Sequence, residues 1–263
     1  MDSKHEAINK KLWNERVNAH VDSDFYNMKG FLNGETSLQE IELRLLGDIA
    51  GKSLLHLQCH FGQDTISLAR MGASCTGVDL SNKAIEKANE LTKQTKANAQ
   101  FLCCNVYDIE NHLKQPFDIV FTTYGTIGWL PDINEWARLV AKYLKPGGKL
   151  VFVEFHPVVW MFDEALEKVK YCYFNSEPII ETESATYADE NAQINLESVG
   201  WNHSIGEVTT ALLNAGLTID HLQEYDYSPY DIFGPSTENE PRRFRPKKHG
   251  NMLPLVYSIT AKK

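Results

Sequence analysis

The segment Leu54–Ser81, LLHLQCHFGQDTISLARMGASCTGVDLS, decides the fold. Leu54–Leu57 sits in an apolar run of strand length, and Gln58-Cys59-His60-Phe61-Gly62 reads as a tight turn. QDTISLARMG then offers Ile66, Leu68 and Ala69 to one helical face, and SCTGVDL is a second apolar run ending near Asp79. A strand, a turn that opens a helix, and a strand that ends in an acid is the layout of a nucleotide-cofactor site. The turn delivers backbone N–H groups and a helix N-terminus to the strand ends. An acid 17 residues beyond Gly62 is placed to accept both hydroxyls of an adenosine ribose. Taken alone, Asp79 would serve equally as a strand end that caps the next helix.

The pattern continues outward on both sides. Ser81 is a suitable N-cap for NKAIEKANELTKQ, which carries Ala84, Ile85, Ala88 and Leu91 on one face. AQFLCCN and FDIVFTTY read as strands, and INEWARLVAKYL presents Ile133, Trp136, Leu139, Val140 and Leu144 to a core. KPGG turns the chain into KLVFVEF. Continuous apolar runs fit strands buried on both faces, hence a parallel sheet under helices, an α/β fold. Residues 1–50 read as an N-terminal helical cap in pieces, with Ile8, Leu12 and Trp13 in one helix and Leu38, Ile41, Leu45 and Leu46 in another. Thr36 or Ser37 would cap the second of these and Gly51 would close it. Residues 51–155 form the core, and 156–203 an insertion after the fifth strand, expected to hold a helix and a strand pair. In 204–263, SIGE is a capping box ahead of a helix stopped at Gly216, and LTIDHLQEYD and PLVYSITAK are two further strands.

The bulk numbers narrow the function. With 263 residues, 43% hydrophobic and 23% charged, the chain can bury a sizeable core. A net charge of −9 argues against a nucleic-acid-coating protein. One basic cluster, Arg242 to Lys248, reads as a solvated loop, a latch, or an anion-binding rim. Five cysteines without a CxxC pair suggest reduced thiols, with Cys59, Cys75 and Cys103 in or beside buried strands. His56, Cys59 and His60 lack a second ligand pair at zinc spacing, so no metal site is expected. The opening residues lack the apolar core of a signal peptide and no apolar run would span a bilayer, so a cytoplasmic location without membrane partners is expected.

The order LLHLQCHFGQD, GVDLS, FLCCNVYDI, FDIVFTTYGTIGWL and LKPGGKLVFVEFHP resembles class I S-adenosylmethionine-dependent methyltransferases. The HFG, GWLPD, EFHP and WNHS segments make it similar to a bacterial small-molecule subgroup of them. The likeness covers roughly residues 50–155, and more loosely the last helix and strand pair. It implies a Rossmann-like, seven-stranded, mostly parallel sheet finished by an antiparallel strand pair, with S-adenosylmethionine as cofactor and S-adenosylhomocysteine as product. By position it puts Asp79 on the ribose and Leu80 on the adenine face, with Asn105 at the adenine amino group and the Val106 N–H beside it. Tyr124 would lie next to the sulfonium, with Gly125 permitting close approach. The chain departs from the family at His56, where an acid is usual, and at Gln58 and His60, where glycines are usual; only Gly62 is kept. A glycine-poor turn suits a sulfonium amino acid better than the pyrophosphate of NAD, and Gln58 and His60 are candidates to bind the methionine carboxylate or amine. His56 is either a cofactor contact or a satisfied buried histidine. Tyr26, with Trp13 and Phe31, either closes over the cofactor or packs as core.

Methyl transfer from a sulfonium is an in-line displacement in which positioning supplies most of the acceleration. A base is needed only if the acceptor carries a proton. His156, directly after the fifth strand, is the best-placed candidate, followed by His203 and Tyr124; Trp129, Trp160 and Trp201 offer apolar walls. The acceptor is expected to be a small molecule rather than a nucleic acid, and the oligomeric state is open. The alternatives are a non-catalytic S-adenosylmethionine-binding or regulatory protein and, further off, an NAD-dependent oxidoreductase.

Overall fold

The computed structural model describes residues 3–263. In chain order the helices and strands are α1 (Ser3–Asp22), α2 (Met28–Leu32), α3 (Glu40–Leu46), β1 (Ser53–Leu57), α4 (Gln63–Arg70), β2 (Ser74–Asp79), α5 (Asn82–Thr95), β3 (Ala99–Cys103), β4 (Phe117–Thr123), α6 (Ile133–Tyr143) and β5 (Leu144–Phe155). They are followed by β6 (Ile179–Glu183), β7 (Leu196–Gly200), α7 (Ile205–Asn214), β8 (Thr218–Tyr225), β9 (Ser236–Glu240), β10 (Arg243–Pro246) and β11 (Val256–Lys262). Seven strands make one sheet in the order β3-β2-β1-β4-β5-β11-β8. The first five run parallel, and β11 lies antiparallel between β5 and β8. The α/β architecture and the antiparallel finish are those expected.

Alternation along each strand divides the core between two faces. Leu55, Val120 and Phe152 pack with Trp136, Leu139 and Val140 of α6 and Val208 and Leu212 of α7. Leu54, Ile119, Phe121 and Val151 face the other way, onto Leu68 of α4 and Leu46 of α3. Each such side chain contributes about 1.5–3 kcal/mol by leaving water. The caps are local: the Ser81 hydroxyl accepts the Ala84 N–H at 3.0 Å, and one Asp132 carboxylate oxygen accepts the N–H groups of Asn134 and Glu135 at 3.0 Å.

Four expectations are corrected. Helix α3 starts at Gln39, whose N–H is held by the Glu42 carboxylate, and ends at Gly47 with φ 64°, so neither Thr36 nor Ser37 caps it and Gly51 does not close it. The helix expected at the start of the insertion shrinks to one 3₁₀ turn, Val159–Met161. Beyond it, Leu166 adopts a left-handed φ of 51°, and the Asp163 carboxylate folds back onto the Glu167 and Lys168 N–H groups, which forms a turn instead. The basic loop contains the β9–β10 hairpin, and three of its five cations are paired: Arg243 with Glu40 and Glu240, Arg245 with Asp226, Lys248 with Glu167. Cys103 is exposed rather than buried. The strand pair expected in the insertion is β6–β7, and it docks on α1, where the Asn9 amide exchanges two hydrogen bonds with the Val199 backbone at 2.8 and 2.9 Å. Among the described residues no helix is long and apolar enough to cross a membrane.

Candidate active site

A cavity of about 910 Å³ opens at the carboxyl ends of the parallel strands, roofed by α1 and by residues 184–187 of the insertion. Its floor is the turn after β1. Gln58, His60 and Gly62 all have positive φ, at 55°, 51° and 81°. The backbone therefore takes the left-handed conformation that glycine tolerates freely, while two of the three positions carry long polar side chains. Each non-glycine residue held this way costs on the order of 1–3 kcal/mol. Gly62 has a second reason: a Cβ there would lie 2.6 Å from the Phe101 ring.

Asp79 stands at the tip of β2. One carboxylate oxygen accepts the His60 N–H and the other the Ser81 N–H, both at 2.8 Å. Burial pushes its carboxyl up to about 6 against those two bonds. Leu80 and Val106 line the same wall. Asn105 lines it too, but its amide is already used: the oxygen caps the Tyr107 N–H and the nitrogen donates to Glu6. His56 lies one layer deeper, against the Thr65 hydroxyl at 2.8 Å, and burial pushes its imidazole down to about 3, so it is a neutral core histidine at the cavity edge.

The turn and the roof share a hydrogen-bonded relay. His60 Nε2 faces His20 Nδ1 at 2.9 Å, and His20 Nε2 faces the Thr186 hydroxyl at 2.6 Å. The Thr186 hydroxyl accepts the Ala188 N–H and, among the described residues, has His20 as the acceptor for its own proton, so it donates there. His20 then donates from Nδ1 to His60 Nε2, and His60 carries its proton on Nδ1. Burial holds both rings neutral, with values lowered to about 2 and about 3. Tyr26 stacks on His20 and shares its hydroxyl with Tyr187 at 2.6 Å. Arg16 lies over the faces of Trp13 and Trp129 and pairs with Glu183 at 3.1 Å. Three buried polar atoms around this turn have no partner: Arg16 Nε, Gln58 Oε1 and His60 Nδ1. The Gln58 orientation is settled by its Nε2, which donates to the Thr126 carbonyl at 2.7 Å.

The opposite wall is the loop after β4. Tyr124 and Gly125 have φ of 47° and 70°, and a Cβ on Gly125 would meet only ordinary contact with Phe155, so positive φ rather than close packing requires the glycine. Glu154, buried at the end of β5, holds this loop by accepting N–H groups of Gly125, Thr126, Ile127 and Phe155 and the Thr126 hydroxyl. Tyr124 donates its phenol to Glu42 at 2.8 Å, and burial pushes the Glu42 carboxyl up to about 7.

The two histidines proposed as bases are corrected. His156 is absent from the cavity wall. Its Nδ1 accepts the Val158 N–H at 3.1 Å, and its Nε2 therefore donates to Glu224 on β8 at 2.8 Å. His203 lines the cavity, but Nε2 meets the Leu130 carbonyl at 2.7 Å and Nδ1 the Glu207 carboxylate at 3.1 Å, leaving no nitrogen to take a substrate proton. Trp129, Trp160 and Trp201 line the wall. Among the described residues no three metal-ligating side chains are gathered to hold an ion. Arg16, His20, Glu42, Asp64 and Glu154 were not singled out from sequence. The signal for the first two is a stripe of Asn9, Leu12, Arg16, Val17 and His20, buried at helical spacing although three of the five are polar.

Residues 54–148 match a family model described as a methyltransferase domain. A ubiquinone biosynthesis O-methyltransferase of Coxiella burnetii is 30% identical over 132 residues, 49% of this chain and 56% of that protein. The chain thus spans little more than half the length of this curated relative. An S-adenosylmethionine-dependent methyltransferase from Mesorhizobium loti superposes with a TM-score of 0.59 at 20% identity, covering 88% of this chain and 100% of that one. A Burkholderia thailandensis 1,6-didemethyltoxoflavin-N1-methyltransferase does so at 0.56 and 16%, covering 100% and 90%. At such identities the two structures establish the fold. Over residues 54–148 the chain matches a methyltransferase-domain model, and its sheet has the fold of S-adenosylmethionine-dependent methyltransferases of known structure.

Proposed function

We propose that the protein is an S-adenosylmethionine-dependent methyltransferase acting on a small-molecule acceptor. The observation that carries this reading is the trio of unpartnered atoms around the β1 turn. Arg16 Nε–H and His60 Nδ1–H are two donors for a carboxylate, and Gln58 Oε1 is an acceptor for an ammonium. Together they complement the zwitterionic end of an amino acid, whereas a pyrophosphate has no N–H to offer the Gln58 oxygen. Asp79 keeps a free lone pair on each oxygen beyond its two backbone bonds, which suits a ribose diol. Leu80 and Val106 supply an apolar wall for the adenine, while Asn105 holds its loop against α1.

The cofactor supplies an electrophilic methyl group on a sulfonium. The chain's own work is orientation: Glu154 fixes the loop that carries Tyr124, and α1 with residues 183–187 excludes water from above. Where the acceptor is protic, the Tyr124 oxygen takes its proton while the phenol proton passes to Glu42. Residues 1–50 and 156–203 form the acceptor side of the cavity.

Calorimetric titration with S-adenosylhomocysteine and with NADH tests the reading. Binding of the first alone supports it, and binding of NADH alone replaces it with an oxidoreductase. Cofactor binding without transfer of a labelled methyl group to any member of a broad metabolite panel would reduce it to a binding protein.

A further inference from the structure

An aromatic wall runs from Tyr124, on the loop that Glu154 holds, to Tyr26 and Tyr187 in the roof. Tyr124 meets Tyr230 edge-on at 5.1 Å, and Tyr230 stacks on Phe25 at 5.5 Å. Phe25 in turn meets Tyr26 at 5.1 Å and Tyr187 at 5.3 Å. All five rings line the cavity, and so does Asp64 from the first turn of α4. Asp64 has the Ser37 hydroxyl beside it and, among the described residues, no salt bridge to a cation. Burial raises the phenols of Tyr26, Tyr124, Tyr187 and Tyr230, with a smaller push from the Asp64 charge, and burial without a counter-charge raises the Asp64 carboxyl too. By contrast Arg16 and Lys170, which also line the cavity, are each paired with a glutamate.

We infer that this wall is the acceptor subsite and that it selects an acceptor carrying a cationic nitrogen, held by the Asp64 carboxylate and the aromatic faces of Tyr230, Phe25 and their neighbours. An unpaired carboxylate in a partly dry cavity lacks a counter-charge, and ring faces carry negative quadrupole, so both attract a cation. A neutral or anionic acceptor would leave the carboxylate uncompensated. The inference rests on the methyltransferase reading and specifies its substrate class as compounds with a cationic nitrogen that anchors them in this subsite, the methyl going to the lone pair of a separate nucleophilic atom.

The test uses the full chain saturated with S-adenosylhomocysteine and two probes of equal shape, benzyltrimethylammonium and its uncharged analogue neopentylbenzene. The cation is expected to bind at least about tenfold more tightly than the uncharged probe, and Asp64→Asn to weaken the cation about tenfold with the affinity for S-adenosylhomocysteine unchanged. Tyr230→Leu, which removes one ring, is expected to weaken it about threefold. Retained S-adenosylhomocysteine binding certifies that each variant is folded. Equal affinity for the two probes, or full cation affinity in Asp64→Asn, overturns the inference alone. Competition between the cation and S-adenosylhomocysteine also overturns it, by putting the wall in the cofactor half. No binding of S-adenosylhomocysteine to the unaltered protein overturns the methyltransferase reading, and the inference with it.

Discussion

His60, after the first strand of the sheet, and His156, after the fifth, occupy comparable places at strand ends, yet their rings are treated differently. His156 has a backbone donor on one nitrogen and a carboxylate on the other. His60 has a partner on Nε2 and none on Nδ1, although both sit in a buried setting. The same contrast separates two carboxylates: Glu154 accepts five hydrogen bonds, Asp79 only two. Groups whose bonding capacity is exhausted by the chain hold the scaffold. His60 and Asp79, with capacity left over, face the cavity.

The contrast would break first at Glu154. Replacing it with Ala strands several buried N–H groups, and a loss of about 3–5 kcal/mol in urea-unfolding stability is expected. A stability loss below about 1 kcal/mol would mean that saturation does not identify scaffold groups.

Glu42 tests the same idea through pH. Its carboxyl is raised by burial from 4.5 to about 7. Between those values the unfolded chain sheds the proton while the folded chain keeps it, so this group's contribution is most favourable below 4.5 and declines as pH rises, levelling near 7. Glu42→Gln should remove a decline on the order of 3 kcal/mol from the stability–pH curve. If the glutamate relays a proton from Tyr124, wild-type turnover on a protic acceptor rises as pH passes through about 7 and the variant loses that rise. Identical stability curves for the two proteins would contradict the assignment.

At Asp79 the loss should appear in binding rather than folding. Asp79→Ala is expected to weaken S-adenosylhomocysteine about 100-fold, the worth of two charge-assisted hydrogen bonds, with a far smaller change in stability than Glu154→Ala. Unchanged affinity by calorimetry would take the acid out of the site.

The histidine pair sharpens the comparison at the smallest scale. His60→Ala should weaken cofactor binding about tenfold, whereas His156→Ala should leave affinity and turnover within about twofold and cost about 1 kcal/mol of stability. Equal effects at the two positions would erase the distinction drawn between them.

Much of the scaffold was legible because it is written in local patterns: Ser81 as a cap, the α6 stripe of Ile133, Trp136, Leu139 and Val140, the apolar run of β4. Asp79, Gln58 and His60 were legible as site candidates because the strand–turn–helix motif brings them together within a short stretch. Arg16 and Glu42 were not, because they reach the cavity from elements whose packing on the sheet has no local signature; Asp64 lies within the motif, but an acid in the first turn of a helix is also an ordinary helix-start residue. The helix read into the 156–203 insertion failed for a reason of its own. Its residues have helical composition, but a left-handed Leu166 and the Asp163 turn override it. His156 misled by position alone: the strand end was right, and the pleat turns its ring toward β8 rather than the cavity.

The roof consists of one helix clasped to a hairpin from far along the chain, through Asn9 with Val199, Arg16 with Glu183, His20 with Thr186 and Tyr26 with Tyr187. Were a bound ligand to leave only as this zipper parts, product escape would set a ceiling on turnover that no improvement in the chemical step would lift, and loosening a tooth away from the cofactor contacts, such as Asn9 with Val199, should then quicken release before it harms the reaction.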